Sequence, residues 1–380
     1  MARIFYIDPQ SMINLAKYDY HLLQGIDMPV YYFCSKYYDA AAAPRVRYKK
    51  VFTYNKLGSN SLKAVSYVCS WLTIMLHVIT LRPKVVHIQW FRIPLFDLMM
   101  VRLLQGVFRI KVVFTAHNLL PHQGNESKNT RVFHQAYHTF NHIIVHSQFT
   151  KQELIGQFQV DADRIKVIRH GILPLDVDEK HYAAEQALLD RKYASLKGKT
   201  VFSALGYQNF YKGTDLLARV WAETPELRSN KEAMLLIIGK VNAADMDLSM
   251  LEGIDNVVFD SRRIPDAEFL YLLRHTSVYL LPYREISQSG AMLTVLTEHV
   301  PLLLTDVGSL AEPLSVANIG WKMQHAEAAE LRQSLLFLID HKADIERIHN
   351  DHQAWEKVNA FYDWHVISQQ TQTLYESMTQ

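Results

Sequence analysis

Two loops in the second half of the sequence carry residues that can bind an anion. Lys212 follows a strand-like segment and precedes a helical pattern, so its ammonium group can neutralise a diphosphate as a compact point charge. In the second loop, Gln288, Ser289 and Gly290 separate a buried strand pattern from an apolar helix pattern. The first backbone N–H groups of such a helix lack intrahelical partners, and the helix dipole favours negative charge there. The second loop therefore predicts an anion site, and Lys212 offers a cation for the same kind of ligand.

The elements that must position these loops alternate short strand-like runs with longer helical patterns, as in a parallel sheet covered by helices. The strands predicted in the first half are residues 3–7, 30–34, 85–88, 111–115, 142–145 and 166–168. Those predicted in the second half are residues 200–205, 234–238, 257–259, 278–281 and 302–305. Doubly wound sheets bind ligands beyond the carboxyl ends of their strands, and we expect two such sheets to face each other across a cleft.

The restart of the strand pattern divides the chain into domains. We predict a first Rossmann-like domain over residues 1–170, a second over residues 171–350 and a C-terminal helix over residues 351–380 that crosses back to the first domain. The predicted fold class is therefore α/β, with two tandem Rossmann-like domains. No internal repeat and no zinc-site spacing of Cys and His is present in the sequence.

Composition excludes several classes of protein. The 380 residues are 49% hydrophobic and 21% charged, which excludes a disordered chain, and two cysteines exclude a disulfide framework. No signal-peptide pattern opens the sequence, so we expect a cytoplasmic protein. The apolar run 67–81 contains His77 and is shorter than a membrane span, which favours a buried or membrane-facing helix.

The net charge of +2 conceals an asymmetry between the two halves. Residues 1–170 contain 21 Lys and Arg against 9 Asp and Glu, whereas residues 171–380 contain 19 against 29. A basic half suits nucleic acid or the anionic inner face of a membrane. Because the sequence has neither a helix-turn-helix nor a stacked-aromatic signature, we expect the membrane surface and no nucleic acid.

Five segments, in the same order along the chain, resemble nucleotide-sugar glycosyltransferases of the two-Rossmann-domain (GT-B) type, closest to the retaining family 4 group. The segments are residues 113–122 (VFTAHNLLPH), 144–154 (IVHSQFTKQEL), 167–174 (VIRHGILP), 204–217 (ALGYQNFYKGTDLL) and 280–312. The resemblance implies that the first domain binds the acceptor and the second the donor. It also implies that Lys212, Ser289, Gly290 and Gly206 hold the donor diphosphate, and that His117 reaches the transferred sugar.

The sequence departs from the family pattern at three points. Counted back without gaps from Val300, the family's paired glutamates fall on Ile286 and Thr294, and the nearest acids are Glu285 and Glu298. We expect Glu285 near the sugar, and Glu298, with Gln288 and Arg263, near the nucleotide or sugar. The arginine that usually precedes the lysine is replaced by Tyr207. The arginines at 262, 263 and 284 are candidates to supply its charge.

The amino-terminal turn is the third departure, because it lacks the double glycine that many relatives have beside the donor phosphates. Asn14, Tyr18 and Asp19 in this turn are candidate acceptor ligands, and a simple capped helix is the alternative. His122, elsewhere in the first domain, is a further candidate acceptor ligand.

The resemblance implies transfer of a sugar from a nucleotide-diphosphate sugar, with retention of anomeric configuration; with the acidic pair displaced, inversion stays open. We identify no Asp-x-Asp metal motif, so we predict turnover without a metal ion or cofactor. We expect a hexosyltransferase of surface polysaccharide biosynthesis that is peripheral on the inner membrane face, with a lipid-linked or oligosaccharide acceptor. The alternatives are a nucleotide-sugar epimerase of similar fold and a non-catalytic nucleotide-sugar-binding subunit.

Overall fold

The computed structural model describes residues 2–12, 14–120, 126–242 and 246–379. The chain forms two compact units. The first consists of Met1–Gly171 together with Tyr362–Gln380, and the second is the intervening stretch Ile172–Phe361.

A seven-stranded parallel sheet forms the centre of the first unit. Its strands are β1 (Ile4–Ile7), β2 (Val30–Ser35), β3 (Val46–Phe52), β4 (Val85–Ile88), β5 (Lys111–Thr115), β6 (His142–Val145) and β7 (Ile165–Val167). The spatial order is β3-β2-β1-β4-β5-β6-β7, with every neighbouring pair parallel. The order in which the chain adds strands reverses between β1 and β4, and folds of this kind bind ligands at such a reversal.

Helices cover both faces of this sheet because successive strand residues point to opposite sides and both sides are apolar. The helices are α1 (Asn14–Gln24), α2 (Asn60–Leu81), α3 (Pro94–Gly106), α4 (Glu126–Thr139), α5 (Gln148–Phe158) and, near the end of the chain, α15 (Trp364–Thr379). Buried residues of α2, α3, α4 and α5 share one core with Phe5 and Ile7. Those of α1 and α15 share the opposite core with Ile4 and Tyr6.

The second unit repeats the plan with six parallel strands. They are β8 (Thr200–Leu205), β9 (Ala233–Ile238), β10 (Val257–Asp260), β11 (Val278–Leu281), β12 (Leu302–Thr305) and β13 (Gly320–Met323). Their order is β10-β9-β8-β11-β12-β13, so the reversal lies between β8 and β11.

Nine helices surround the second sheet within the part of the chain that the structure describes. They are α6 (Glu179–Lys192), α7 (Thr214–Glu223), α8 (Pro225–Arg228), α9 (Asp266–Arg274), α10 (Gly290–Val295), α11 (Glu312–Val316), α12 (Ala328–Asp340), α13 (Lys342–His349) and α14 (His352–Phe361). Leucines of α7 and α12 pack on one face of the sheet, around the buried Trp221.

The predicted α/β class with two Rossmann-like sheets is confirmed, but three details of the sequence prediction are wrong. β3 and β13 were not expected. The helix predicted over 351–380 is two helices, because Asp363 caps α15 by accepting hydrogen bonds from the N–H groups of His365 and Val366. Finally, the apolar run 67–81 was expected to be shorter than a membrane span. It belongs to the longer helix α2, whose 22 residues are enough to cross a membrane by length and composition.

The last helix does pack in the first unit. Ser368 Oγ donates to the carbonyl of Leu22 in α1, at 2.8 Å. The backbone N–H of Asp27 donates to Gln372 Oε1 at 2.7 Å, so α15 is bonded along α1. Residues 362–380 thus complete a unit that begins with β1.

Candidate active site

In the second unit, the loops that follow β8 and β11 meet at the reversal of strand order. The backbone N–H of Arg284, after β11, donates to the carbonyl of Tyr211, after β8, at 2.8 Å. The Arg284 guanidinium donates to both carboxylate oxygens of Asp215 in α7, each at 2.7 Å. This bidentate pair holds the two loops in one arrangement.

Gly213 permits the close approach of these loops. It follows a single 3-10 turn, Phe210–Lys212, and has a φ of +69°. A Cβ atom at this position would lie 2.0 Å from the carbonyl oxygen of Pro282. Both the backbone angle and the lack of space therefore require glycine after Lys212.

Gly206 lies in a similarly tight turn. Its φ is +92°, and its carbonyl oxygen would be 1.7 Å from a Cβ on Gly239. The buried Gln208 secures the turn by donating to the carbonyls of Ala204 and Gly206, and it accepts a hydrogen bond from Thr214 at 2.7 Å. Gly206 thus shapes the loop that presents Lys212.

Lys212 turns its ammonium group inward. Nζ donates to the Tyr207 carbonyl at 2.6 Å and lies 5.8 Å from the centroid of the Tyr283 ring. Burial lowers the pKa of Lys212 to about 8, and no carboxylate pairs with it among the described residues. The adjoining cavity, lined by Gln208 and Thr214 among others, is about 10 Å³, enough for about one water molecule. Lys212 is therefore a partly desolvated cation whose charge lacks an anion.

The loop after β11 exposes backbone donors beside Ser289 and Gly290. Ser289 caps α10 by accepting a hydrogen bond from the N–H of Met292 at 3.2 Å. The N–H groups of Gly290 and Ala291 have no acceptor among the described residues. An added Cβ on Gly290 would meet nothing nearer than Leu173 Cδ1 at 4.0 Å, so a ligand has room there. Since α10 has only six residues, its dipole contributes less than these two donors.

The loop after β12 contacts the same loop and fixes its position. Ser309 Oγ donates to the carbonyl of Ser287, and a Cβ on Gly308 would lie 1.7 Å from the carbonyl oxygen of Ile286. Glu285 is exposed and Gln288 is half-buried in this loop, and neither side chain has a hydrogen-bond partner among the residues described. Glu285, Gln288 and Ser289 therefore lie in one loop, which leads into α10 at Gly290.

Two of the three candidate arginines are engaged in the fold. Besides Arg284, the Arg262 guanidinium donates to Asp260 and to Glu268. Arg263 is exposed after β10, and in the described ranges its guanidinium has no ion pair. Arg263 is thus the one of the three that remains available to a ligand.

The expectation that Glu298 lies near the nucleotide is corrected by the structure. Glu298 ends a 3-10 turn, Leu296–Glu298, that follows α10 and precedes β12. It therefore lies at the amino end of that strand, where it pairs with Arg274 at 3.0 Å, rather than at the carboxyl ends where the loops meet. An ungapped count along the sequence could not distinguish the two edges of the sheet.

In the first unit, histidines follow several strands and form a hydrogen-bonded network. His146, after β6, bonds the Ile168 carbonyl through Nδ1 at 2.9 Å and His117 Nδ1 through Nε2 at 3.1 Å. The amide of Gln89, after β4, lies 2.9 Å from His117 Nε2 and 3.0 Å from His87 Nε2. The network ends at the Tyr375 hydroxyl of α15, 2.5 Å from His87 Nδ1.

The carbonyl at one end sets the direction of this network. Burial lowers the pKa of His146 to about 4, so its ring is neutral and carries its single proton on Nδ1. His146 Nε2 must then accept from His117 Nδ1, which leaves His117 Nε2 without a proton. Because Gln89 Oε1 faces His117 Nε2, this assignment requires the Gln89 amide to be turned over, so that its NH2 group donates there. With the amide turned over, the Gln89 carbonyl oxygen faces His87 Nε2, which also lies 2.7 Å from the Thr115 hydroxyl and can donate to either oxygen.

This arrangement occupies both ring nitrogens of His117. Burial and the neighbouring His146 hold its pKa well below the ordinary value, and the Trp90 ring stacks on it at 4.6 Å. The role that the resemblance gives to His117 therefore requires one hydrogen bond to be exchanged for a ligand. The bond to Gln89 is the candidate, because Gln89 retains His87 as a partner.

Among the candidate acceptor residues, Tyr18 lies at the histidine network. The Tyr18 ring lies 4.9 Å from that of His117 and 4.9 Å from that of His170, which follows β7. Asp19 is buried, and its carboxylate accepts from the hydroxyls of Tyr6 and Tyr32, so it is a core residue rather than an acceptor ligand. Asn14 begins α1, and His122 lies outside the described residues.

An open pocket of about 410 Å³ lies at the reversal between β1 and β4 in the first unit, and sequence reasoning missed it. Residues that line it include Gln10, Met12, Tyr54, Asn55, Lys63 and Arg92. The Arg92 guanidinium lies 5.5 Å from the Tyr54 ring centroid. Neither Arg92 nor Lys63 has a carboxylate partner in the part of the chain described. The pocket is therefore positive, with both polar and apolar walls.

No group of three or more His, Cys, Asp and Glu among the described residues could hold a metal ion. Asp-x-Asp triplets do occur, at 161–163, 176–178 and 245–247. Asp161 caps the 3-10 turn Ala162–Arg164, Asp178 caps α6, and Asp247 accepts from the N–H of Ser249. Residue 245 lies outside the described ranges.

One known protein family matches part of the chain. Residues 23–174 match the family described as Glycosyltransferase Family 4, a range that includes three of the five segments on which the resemblance was based. No curated protein matches the chain by sequence.

Solved structures of similar fold extend over the whole chain. Sucrose-phosphate synthase from Thermosynechococcus elongatus is 15% identical with a TM-score of 0.73, over 100% of this chain and 99% of that one. Anabaena HepE in complex with UDP-glucose is 14% identical with a TM-score of 0.69, over 99% and 100%. WaaG, a glycosyltransferase involved in lipopolysaccharide biosynthesis, is 13% identical with a TM-score of 0.63, over 98% and 99%. The family match confirms the resemblance to family 4 glycosyltransferases over residues 23–174, and the solved structures share the two-domain fold of the whole chain.

Proposed function

We propose that the protein transfers a hexose from a nucleoside-diphosphate sugar to a lipid-linked saccharide in surface polysaccharide assembly. The observation that carries the proposal lies in the loops at the β8/β11 reversal. There, among the residues described, the Lys212 ammonium has no carboxylate partner and the N–H groups of Gly290 and Ala291 have no acceptor. The HepE structure, which contains UDP-glucose, supports a nucleotide sugar as the donor.

These groups suit the chemistry of sugar transfer. When the bond to the sugar breaks, negative charge grows on the departing diphosphate. Donors already aimed at that charge lower the barrier because they need no reorganisation during the step. Lys212 would exchange the Tyr207 carbonyl for a phosphate oxygen, while the N–H groups of Gly290 and Ala291 bind a second oxygen. We propose that these donors stabilise the departing diphosphate without a divalent metal.

Retention of anomeric configuration is proposed on the resemblance alone. Glu285 is exposed in the loop that carries the backbone donors, so it is the acid we propose to contact the sugar hydroxyls. Glu298 has no part in this proposal, because it pairs with Arg274 at the other edge of the sheet.

The pocket of the first unit is the proposed acceptor site. Lys63 and Arg92 provide two positive charges without carboxylate partners in the described ranges, which suits an acceptor that carries phosphate groups. A saccharide linked to a lipid through phosphate has this chemistry, and the polar side chains of Gln10 and Asn55 can bind sugar hydroxyls.

A donor screen followed by a product assay tests the proposal. A nucleotide sugar present at about a hundred times its Kd should stabilise the protein by about 2.7 kcal/mol and raise its Tm. With that donor, a phosphate-linked amphiphilic saccharide and excess EDTA, sugar should move to the amphiphile. Transfer that stops with EDTA would contradict the metal-independent mechanism, and free nucleoside diphosphate with epimerised sugar would indicate the epimerase.

A variant pair separates the two sites. Lys63→Met should raise the KM for the phosphate-linked acceptor while leaving the donor Kd unchanged, whereas Arg45→Met removes an exposed charge of the same unit as a control. If Lys63→Met and Arg45→Met affect the acceptor KM equally, the pocket is not the acceptor site. Donor binding without any product would indicate a non-catalytic subunit.

A further inference from the structure

The outer faces of α2 and α3 carry large apolar side chains that are exposed. On α2 these are Leu62, Val65, Leu72, Leu76 and Ile79; on α3 they are Leu95, Met99 and Leu103, followed by Val107 at the C-cap. Their spacing of three, four or seven residues aligns them along one side of each helix. We name these nine residues the α2–α3 surface. They are nine of the seventeen large apolar side chains that are exposed in the described residues, all within 46 positions of the sequence.

Both stripes face the same way. The inner residues of α2 and α3, such as Tyr67 and Leu98, belong to the same core on one face of the sheet. The Phe96 ring of α3 contacts the rings of Tyr67 and Trp71, at 6.1 and 6.5 Å. Because each helix buries its inner face against this sheet, the opposite faces lie together on the outside of the first unit.

The charge around this surface distinguishes among possible partners. From Lys36 to Lys111 the chain contains thirteen Lys and Arg but only two acids, Asp39 and Asp97. Asp97 is buried, where it accepts hydrogen bonds from the Tyr67 hydroxyl and from two backbone N–H groups, so it does not offset the cations. A second copy of this chain would present the same positive charge and be repelled. An anionic lipid surface supplies both an apolar interior and negative headgroups.

The helices lie along such a surface rather than cross it. Although α2 has the length and mean hydropathy of a span, its inner face is fixed to the sheet. Ser70 Oγ donates to the carbonyl of Val51 in β3, and Tyr67 to Asp97 in α3. Crossing a bilayer would break these bonds and expose the core of the first unit to water or lipid.

We propose that the α2–α3 surface docks the protein on an anionic bilayer, with both helices in the plane of the interface and the neighbouring Lys and Arg at the headgroups. The proposal goes beyond the transfer reaction and does not depend on it. Lys63 of the pocket adjoins Leu62 of the surface, so a docked protein would hold the pocket at the level of the headgroups.

Vesicle flotation with the full chain tests the proposal. We expect binding to vesicles of 70% phosphatidylcholine and 30% phosphatidylglycerol at low salt, and at least tenfold weaker binding to pure phosphatidylcholine or in 0.5 M salt. Leu72→Glu combined with Leu76→Glu should weaken binding at least tenfold. The matched control is Leu188→Glu with Met250→Glu, two exposed apolar residues of the second unit, which should bind as the unchanged protein does.

Two further measurements test whether the variants fold and whether α2 contacts the bilayer. Circular dichroism should show native folding of the variants, and Leu72→Ser with Leu76→Ser provides a milder pair. Cys69 lies in the α2 stripe and is exposed while Cys34 is buried, so a polarity-sensitive fluorophore on Cys69 should shift to the blue on anionic vesicles.

Failure of the unchanged protein to bind anionic vesicles, or equal binding by the α2 variants and their controls, would overturn the proposal. So would a stable dimer that the α2 variants dissociate, because the surface would then be an interface between copies. Since no donor is present, these results are independent of whether sugar transfer is found.

Discussion

Replacing Lys212 by methionine removes the ammonium group while keeping an unbranched apolar side chain of similar length. In the structure Nζ donates to the Tyr207 carbonyl, so binding a diphosphate exchanges a neutral hydrogen bond for a charge-assisted one. A bond to a charged group contributes about 1.5–3 kcal/mol and a neutral bond about 1 kcal/mol. The net difference of about 0.5–2 kcal/mol predicts a donor Kd raised by about two- to thirtyfold in Lys212→Met.

The pKa of Lys212 gives the same prediction a pH dependence. With a pKa of about 8, about nine tenths of the side chain is charged at pH 7 and about one tenth at pH 9. Donor Kd should therefore rise about two- to eightfold between these values in the unchanged protein, because the neutral fraction binds about two- to thirtyfold more weakly, as Lys212→Met does. The Kd of Lys212→Met should vary little over this range, which also corrects for titration of the ligand.

Stability should change in the opposite direction. The pKa of folded Lys212 lies below its ordinary value of 10.5, so between about pH 8 and 10.5 the unfolded chain binds more protons. The free energy of unfolding of the unchanged protein should rise with pH in that window, and Lys212→Met should lack this rise. Urea titrations at pH 8 and pH 10 measure the difference.

Isothermal titration calorimetry with an intact nucleotide sugar measures the affinities. The matched control is Lys240→Met, because Lys240 is an exposed lysine that also follows a strand, β9, at the same edge of the sheet. An unchanged Kd in Lys212→Met, or equal losses in Lys212→Met and Lys240→Met, would refute the reasoning. In the second case, the effect would be general electrostatic attraction rather than a placed ammonium.

Three further substitutions test the loops around this lysine. Gly213→Ala places a Cβ 2.0 Å from the Pro282 carbonyl at a positive φ, so we expect at least about 2 kcal/mol of lost unfolding free energy by urea denaturation, and unchanged stability would contradict this. Gly290→Ala meets no atom closer than 4.0 Å, so Tm should stay the same while the donor Kd rises severalfold; an unchanged Kd would show that the diphosphate does not approach there. Arg284→Lys loses the bidentate pair with Asp215, which predicts about 1–2 kcal/mol of lost stability and weaker donor binding, whereas a fully native Tm would show that the pair contributes little.

The strands that sequence reasoning missed are both at sheet edges. β3 (VRYKKVF) ends the seven-stranded sheet and β13 (GWKM) ends the six-stranded one. An edge strand has one side open to solvent and tolerates charged residues, so it lacks the continuous apolar run by which central parallel strands are recognised. Central strands such as β4 and β9, buried on both faces, were predicted within one residue of their observed bounds.

The predicted site residues divide according to how local their signals are. Ser289 and Gly290 were predicted from a strand, loop and helix order that is contiguous in sequence, and the structure shows that loop. The network of His87, His117 and His146 depends on three strands becoming neighbours, which no single segment reveals. A usable signal was nevertheless present, because a polar residue directly follows β4, β5 and β6 or lies within two residues of their ends.

The divided first unit has a consequence for how the protein is made. Its opposite sheet face is closed by α15, whose residues leave the ribosome only after the whole of residues 172–361. Until then, α1 lacks its neighbour and His87 lacks the Tyr375 hydroxyl, while the uninterrupted second unit already has all of its chain. Released chains that end at residue 363 should therefore carry a protease-resistant second unit and a protease-sensitive beginning, the reverse of the order in which the two were translated.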